Sequence, residues 1–414
     1  MKKVLCMLLS ICFLLLGCSK SQREVDDYAY VIAIGIDKGE NNNLKVTLSF
    51  ANPNKIGGSS DKGSGGKEGE SENLINFTTE SSGIFNSLNV ANDNISKVVN
   101  LSHVKLIVFS KEIAKEGILK YVDGFVRELH VRPVTILAVC DKKPDEYLKK
   151  ISPKLEVNPE KYINDLFEKD RATFIIKTTL RDFYSFASSD VKDVCLPYLG
   201  SNDEEKSIEY KNDDKEMSYN IDDNETSQTP KDTENKSVVL GSAFFKGDKM
   251  VGTGSNVENL YNLLLLGNAQ DVAYTIKDED NLITELSISQ TMKPEIKIDT
   301  SHYIPRVKIN IMLEADIMTI EDRNVSDDEY LKIEKKLNSD LKSNIEKFLD
   351  KTVKKLKVDS VGFGNKAKRN FLTWQEWENY KWTEKFPGLV YEVNVDSSII
   401  RFGLLNKSLQ KKSK

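Results

Sequence analysis

Histidine is scarce in this chain: three in 414 residues, at His103, His130 and His302. None stands in a His-Glu-x-x-His or Cys-x-x-Cys setting, so the spacing offers no zinc site. No Gly-x-Ser-x-Gly occurs, and no Ser or Cys nucleophile motif accompanies a histidine, so triad-type acyl transfer has no machinery here. The paired carboxylates of a glycosidase are not recognisable either. Glycines are plentiful between Asn52 and Asn73, but no Gly-Lys-Ser or Gly-Lys-Thr follows them, which excludes a phosphate-cradling loop. Excess positive charge is also missing. The formal net charge is −5, and duplex nucleic acid needs a basic face, so nucleic acid is excluded as a partner. The expectation is a protein that is no enzyme and uses no metal or cofactor.

A membrane-spanning run is lacking as well. Leu260 to Leu266 is the greasiest internal stretch, far short of the ~20 apolar residues a bilayer core requires. The first residues carry a different signal. Lys2 and Lys3 form a short positive segment, and Val4 to Leu16 is apolar but for one Ser. It is too short to span and reads as a signal peptide covering residues 1–17. It ends in Leu15-Leu16-Gly17-Cys18, the pattern of a bacterial lipobox. A diacylglyceryl thioether on Cys18 would anchor the mature chain, because two acyl chains hold stably where one is marginal. The expected location is therefore the outer face of a cytoplasmic-type membrane.

Five cysteines are present, of which Cys6 and Cys12 leave with the signal and Cys18 is the lipidation site. Cys140 and Cys195 remain. A disulfide and two buried free thiols are both compatible with their spacing, and Cys140 ends an apolar run that suits a buried thiol.

Periodicity divides the rest. Tyr28 to Asp37 and Leu44 to Phe50 read as strands around Asp37-Lys38-Gly39 and Asn41-Asn42-Asn43 turn chemistry. Helix spacing follows in Ser82 to Val98, then a strand at Val104 to Phe109. Ile113 to Leu129 reads as one amphipathic helix with Ile118, Leu119, Val122, Phe125, Val126 and Leu129 on its apolar face. Val134 to Cys140 is a strand; Pro159 to Asp170 and Leu180 to Ala187 are helices. Residues 201–237 hold twelve acids and five lysines, too polar to bury a core, and read as a disordered linker. Beyond it come a strand at Val238 to Phe245, a Lys246-Gly247-Asp248-Lys249 turn, and a helix at Val257 to Leu266. Several strands lie between Val272 and Ile320. Ser326 and Glu329 form a capping box for a helix running to about Lys357, ~45 Å long. Its stripe is Leu331, Leu337, Leu341, Ile345, Phe348, Leu349, Val353 and Leu356. Val390 to Phe402 closes the chain as strands. The fold class is α/β (α+β): a multi-domain lipoprotein with mixed sheets covered by helices. The divisions are residues 18–200, the linker 201–237, residues 238–408 and a basic tail 409–414.

Four patches carry a resemblance. They are Gly17-Cys18 with Tyr30 to Asp37; His103-Val104-Lys105 leading through Ala114, Gly117 and Ile118 to Val126-Arg127-Glu128; Gly241 to Gly252; and Asp359 to Gly364 followed by Trp374 and Trp382. In this order and spacing the chain resembles the C-subunit lipoproteins of spore germinant receptors, the Ger(x)C family. Two features depart from it. Ser19-Lys20 stand where members commonly carry Trp-Asp, and the acidic stretch is long.

The resemblance implies a non-enzymatic, lipid-anchored subunit of a nutrient germinant receptor on the outer face of the spore inner membrane. Its implied partners are the multi-spanning A- and B-type subunits. His103, Lys105, Arg127, Gly241, Asp359, Gly362 and Trp374 are its candidate interface or structural positions. For each a bland role competes: hydrogen bonding for His103, turn geometry for Gly241, core packing for most of the tryptophans. An alternative is an extracellular solute-binding lipoprotein that captures the germinant itself. Which germinant it would be is not written in the residues.

Overall fold

The computed structural model describes residues 24–52, 73–152, 155–168, 174–187, 189–201, 237–278, 282–320 and 327–401. Within them lie two sheets, of nine and five strands.

The first sheet begins with β1 (Tyr28–Lys38) and β2 (Leu44–Ala51), an antiparallel hairpin in the expected place. Its turn puts Asn41 and Asn42 at φ 52° and 64°, the left-handed region that Asn tolerates. β3 (Leu74–Ser81) pairs with β2 as an edge strand; sequence periodicity had not picked it out. The short β4 (Val98–Asn100) pairs with the start of β1. β5 (Leu106–Ser110), β6 (Ile136–Cys140) and β7 (Cys195–Ser201) follow in parallel. The sheet order is β3-β2-β1-β5-β6-β7, extended by β8 (Ser237–Lys246) and β9 (Lys249–Ser255).

The central strands are apolar throughout because both their faces are covered, as parallel strands require. Leu106 and Val108 pack with Tyr147, Leu148, Ile163 and Phe167 on one side. Ile107 and Phe109 pack with Ile113, Val122 and Phe125 on the other.

The expected division at the acidic stretch is not where the first sheet ends. β8 and β9 come after that stretch, yet pair onto β7. Between its end residues the stretch itself lies outside the described residues, as do residues 1–23, with the expected signal segment, and residues 402–414, with the expected basic tail.

The continuous helix expected over Ile113 to Leu129 is two helices, Lys111–Glu116 and Leu119–Arg127. The break is Gly117 at φ +120°, where an added Cβ would stand 2.5 Å from the Asp248 carboxylate. The next residue, Ile118, donates its N–H to the Asp248 carbonyl at 3.0 Å. A tertiary contact thus interrupts a sequence that is locally helical. Ile118, Val122 and Phe125 are buried as expected, but Val126 is exposed and Leu129 is 96% exposed.

The second sheet runs β10 (Val272–Lys277), β11 (Ile283–Ser289), β13 (Arg306–Ile320) and β12 (Glu295–Asp299), with β14 (Val390–Arg401) parallel to β13. The closing strands are this single one. β13 alternates exposed and buried residues, so one face meets the core and the other meets water. The helix Asp327–Leu349 covers the inner face and continues as a π turn over Asp350–Lys355. Ser326, the expected cap, lies outside the described residues. Ile333, Leu337, Leu341, Ile345, Phe348 and Leu349 face the core, whereas Leu331 is 54% exposed. Leu331 precedes Ile333 by two positions, which on a helix turns it about 200° away.

Phe244 of β8 and Cys195 of β7 belong to the same core as this helix, and the Phe244 and Phe348 rings lie 6.2 Å apart. Cys140 and Cys195 are both free and buried, and burial pushes each thiol up to about 12.

Candidate functional site

Beyond the π turn, Lys357 takes φ +57° and leads the chain into Val358 and Asp359. The Asp359 carboxylate then receives three backbone N–H groups: Gly362 and Phe363 at 2.8 Å and Gly364 at 2.7 Å. Wrapping the chain that tightly needs φ +82° at Gly362, a conformation that favours glycine. At Gly364 the demand is for space. A Cβ there would meet the Val191 carbonyl oxygen at 2.6 Å and Trp382 Nε1 at 2.8 Å.

This loop is tied to the first sheet by a reciprocal bond. Asp359 donates its N–H to Asp193 Oδ2 at 2.8 Å, and Asp193 donates its own to the Asp359 carbonyl at 3.0 Å. Lys246, the last residue of β8, reaches Asp193 Oδ2 at 2.9 Å, and the Gly247 N–H reaches Oδ1 at 3.3 Å. Two buried carboxylates therefore sit side by side, one neutralised by a lysine and one by backbone dipoles. Burial pushes the Asp359 carboxyl up to about 6, with the Asp193 charge acting the same way and the three N–H donors opposing both. A narrow cleft lined by Ser189, Lys192, Trp382 and Phe386 opens beside the pair. Chemically the arrangement is a clamp: it fixes the seam between the two sheets.

His103 and Lys105 form a second cluster. His103 Nδ1 lies 2.8 Å from Glu160 Oε2, and Lys105 Nζ lies 3.2 Å from Glu160 Oε1. Burial opposes the Glu160 charge, but the hydrogen bonds from His103 and Lys105 outweigh it and hold the carboxyl below its ordinary value. Glu160 is in the first turn of the helix Pro159–Glu168, where an acid suits the positive end of the helix. The Tyr30 ring meets the His103 ring edge-on, centroids 4.6 Å apart.

The described parts of the four sequence patches thus follow one another in space. The first touches the second through Tyr30 and His103, and the second touches the third through Ile118 and Asp248. The third meets the fourth through Lys246, Asp193 and Asp359. The other candidates stand apart. Arg127 is exposed and pairs with Asp123 at 2.8 Å on its own helix. Gly241 sits in β8 at φ +152°, where a Cβ would fall 1.9 Å from the Gly254 carbonyl oxygen. Trp377 and Trp382 are buried, whereas Trp374 is 58% exposed. Cys18 lies outside the described residues. Sequence reasoning missed Asp193 and Glu160, since an isolated acid before a strand or in a first helical turn has no local mark of a long-range partner.

Two family models match the chain in order. Residues 21–201 match the spore germination protein N-terminal domain, and residues 240–403 match the spore germination B3/GerAC-like C-terminal domain. The chain belongs to the Ger(x)C family of spore germination proteins. Its relatives include spore germination protein KC of Bacillus subtilis (strain 168), 24% identical over 98% of this chain and 96% of the relative. Spore germination protein GerQC of Bacillus cereus is 22% identical over 97% of this chain and 98% of the relative. The crystal structure of the GerBC protein matches 89% of this chain and 96% of that one, with a TM-score of 0.53 and 15% identity. That likeness establishes a shared fold. In family terms Asp193 falls in the N-terminal module, and Lys246 and Asp359 in the C-terminal one. The Asp193–Lys246–Asp359 clamp joins the two modules of a Ger(x)C protein. Among the described residues, no three His, Cys, Asp or Glu side chains gather as a metal ion would need.

Proposed function

We propose that this protein acts in spore germination as the non-enzymatic, lipid-anchored subunit of a nutrient germinant receptor. It would sit on the outer face of the spore inner membrane, held through Cys18, and assemble there with multi-spanning A- and B-type subunits. The observation that carries this reading is the ordered match of both family modules along the chain. Among the described residues no helix is long and apolar enough to cross a membrane. A diacylglyceryl group on Cys18 would supply the retention.

The geometry favours a close tether. Glu24, the first described residue, follows Cys18 by six positions, so the link spans at most ~20 Å even when extended. A body held so near would have a raised effective concentration towards integral partners, on the order of millimolar for short links. The clamp at Asp359 suits a role in which the two modules are presented as one unit.

The test is Cys18→Ala in spores. The variant is expected in the soluble fraction, with impaired nutrient-triggered germination, while the native chain used as bait recovers two multi-spanning proteins. Unchanged fractionation of the variant would remove the anchor from the reading. Recovery of no integral partner would remove the assembly.

A further inference from the structure

Most apolar side chains exposed on this surface stand singly, which needs no explanation. One group does not. Leu372 is 96% exposed, Tyr303 is 83% exposed and Trp374 is 58% exposed. Ile304, beside Tyr303, is about half exposed.

They are brought together by the turn between β12 and β13 and the segment after the short helix Phe363–Ala367. Asn370 ties the two by donating to the Ile298 carbonyl at 2.9 Å and to Thr300 Oγ1 at 3.3 Å. Lys385 bridges them from a third segment, its Nζ 5.2 Å from the Tyr303 ring centroid and 3.8 Å from that of Tyr380. Lys368 Nζ lies 4.0 Å over the Trp374 ring. Beneath this rim, Phe371, Trp377 and Tyr380 pack ring against ring. The exposed residues therefore ride on a fixed aromatic base.

Glu376 is occupied in the capping box with Thr373, Glu378 takes the Trp374 indole N–H, and Glu384 pairs with Lys381 at 3.3 Å. Among the described residues no carboxylate lies within ion-pair distance of Lys366, Lys368, Arg369 or Lys385. The rim thus joins protruding Leu, Trp and Tyr side chains with Lys368 and Lys385, which sit against the Trp374 and Tyr303 rings.

We propose that this rim docks on the headgroup layer of an anionic phospholipid bilayer. Trp and Tyr settle at the boundary between headgroups and acyl chains, with a polar edge towards water. Leu372 is placed to enter the acyl region, and Lys and Arg stems lie along apolar surface while their heads meet lipid phosphates. An acidic protein surface would match the cations but would not call for a bare Leu beside a Trp and a Tyr. Docking would give the body a second membrane contact and so fix its orientation. The proposal does not rest on Cys18, and its test leaves that residue out.

The test uses the chain from position 18 onward with Cys18→Ser, which removes both leader and lipid. It is mixed with vesicles of phosphatidylcholine alone or with phosphatidylglycerol added. The chain is expected to co-sediment with the anionic vesicles at low salt and to be released at high salt. Its tryptophan emission is expected to shift to the blue. Trp377 and Trp382 are already buried, so the shift belongs to Trp374 and disappears in Trp374→Phe. Lys368→Glu with Lys385→Glu is expected to weaken binding about tenfold or more. Leu372→Ser is expected to weaken binding without changing its salt dependence. These side chains are exposed, so thermal melting of the variants should match the parent. Absence of co-sedimentation, or binding undiminished in both the charge and the Leu372 variants, overturns the proposal. So does a concentration-dependent dimer that Leu372→Ser dissolves, which would assign the rim to a second copy of the chain.

Discussion

Replacing Asp359 by alanine tests the clamp directly. The substitution leaves three buried N–H groups, of Gly362, Phe363 and Gly364, without their acceptor. Each unsatisfied buried donor costs about 1–3 kcal/mol, and together roughly 3–9 kcal/mol. Against this stands the relief of removing a buried charge. The carboxyl is pushed from 3.8 up to about 6, a difference worth roughly 3 kcal/mol at neutral pH. The expected net loss at pH 7 is about 3 kcal/mol from the middle of that range, within outer bounds of about 0–6 kcal/mol. The pH dependence is a sharper check. A carboxyl raised in the folded state binds its proton more tightly there than in the unfolded chain. Its contribution to stability therefore grows as pH falls from about 6 towards about 4, and is lost as pH rises through 6. The alanine variant has no such gain, so the stability difference between parent and variant should be larger at pH 5 than at pH 7, by about 1 kcal/mol. Urea unfolding at both pH values, followed by the emission of buried Trp382 beside the clamp, measures both quantities. A variant more stable than the parent at pH 7, or a difference that shrinks on acidification, would refute the reasoning.

Other substitutions follow from the same geometry. Gly241→Ala forces a Cβ to within 1.9 Å of the Gly254 carbonyl at φ +152°, so the chain should express mainly as insoluble protein, as judged by fractionation of lysates. Gly364→Ala places a methyl against the Val191 backbone, and a loss of about 1–3 kcal/mol is expected in the same urea assay. Leu337→Ala opens a cavity under the long helix at about 2–5 kcal/mol, whereas Leu331→Ser on its outer face should change the urea midpoint little.

The family and the succession of strands and helices were largely legible in the residues. β1 and β2 announce themselves through Ile- and Val-rich runs around Asn-rich turns, and the helix Leu180–Ala187 through its spacing. The failures have separate causes. β3 is an edge strand with one residue of its middle after another half exposed, so it lacks the continuous apolar signal of its neighbours. The helix break at Gly117 is imposed from outside by Asp248, more than a hundred residues later. Leu331 lies outside the core because it stands two positions before buried Ile333, on the other side of the helix, a face that residue type alone does not define. In the clamp, Asp359, Gly362 and Lys246 were visible as members of recognisable patches, but Asp193 was not.

Local chemistry alone determined the lipobox-like pattern that ends at Cys18, the lack of a recognisable catalytic motif and most elements, because those properties depend on neighbours within a few residues. The tertiary structure decided that β8 and β9 complete a sheet begun two hundred residues earlier, and that Asp193 and Asp359 bind each other's backbones. It also decided that of three tryptophans only Trp374 faces water. Burial and long-range hydrogen bonding arise only when distant segments meet, and no window on the chain is wide enough to contain both sides of such a contact.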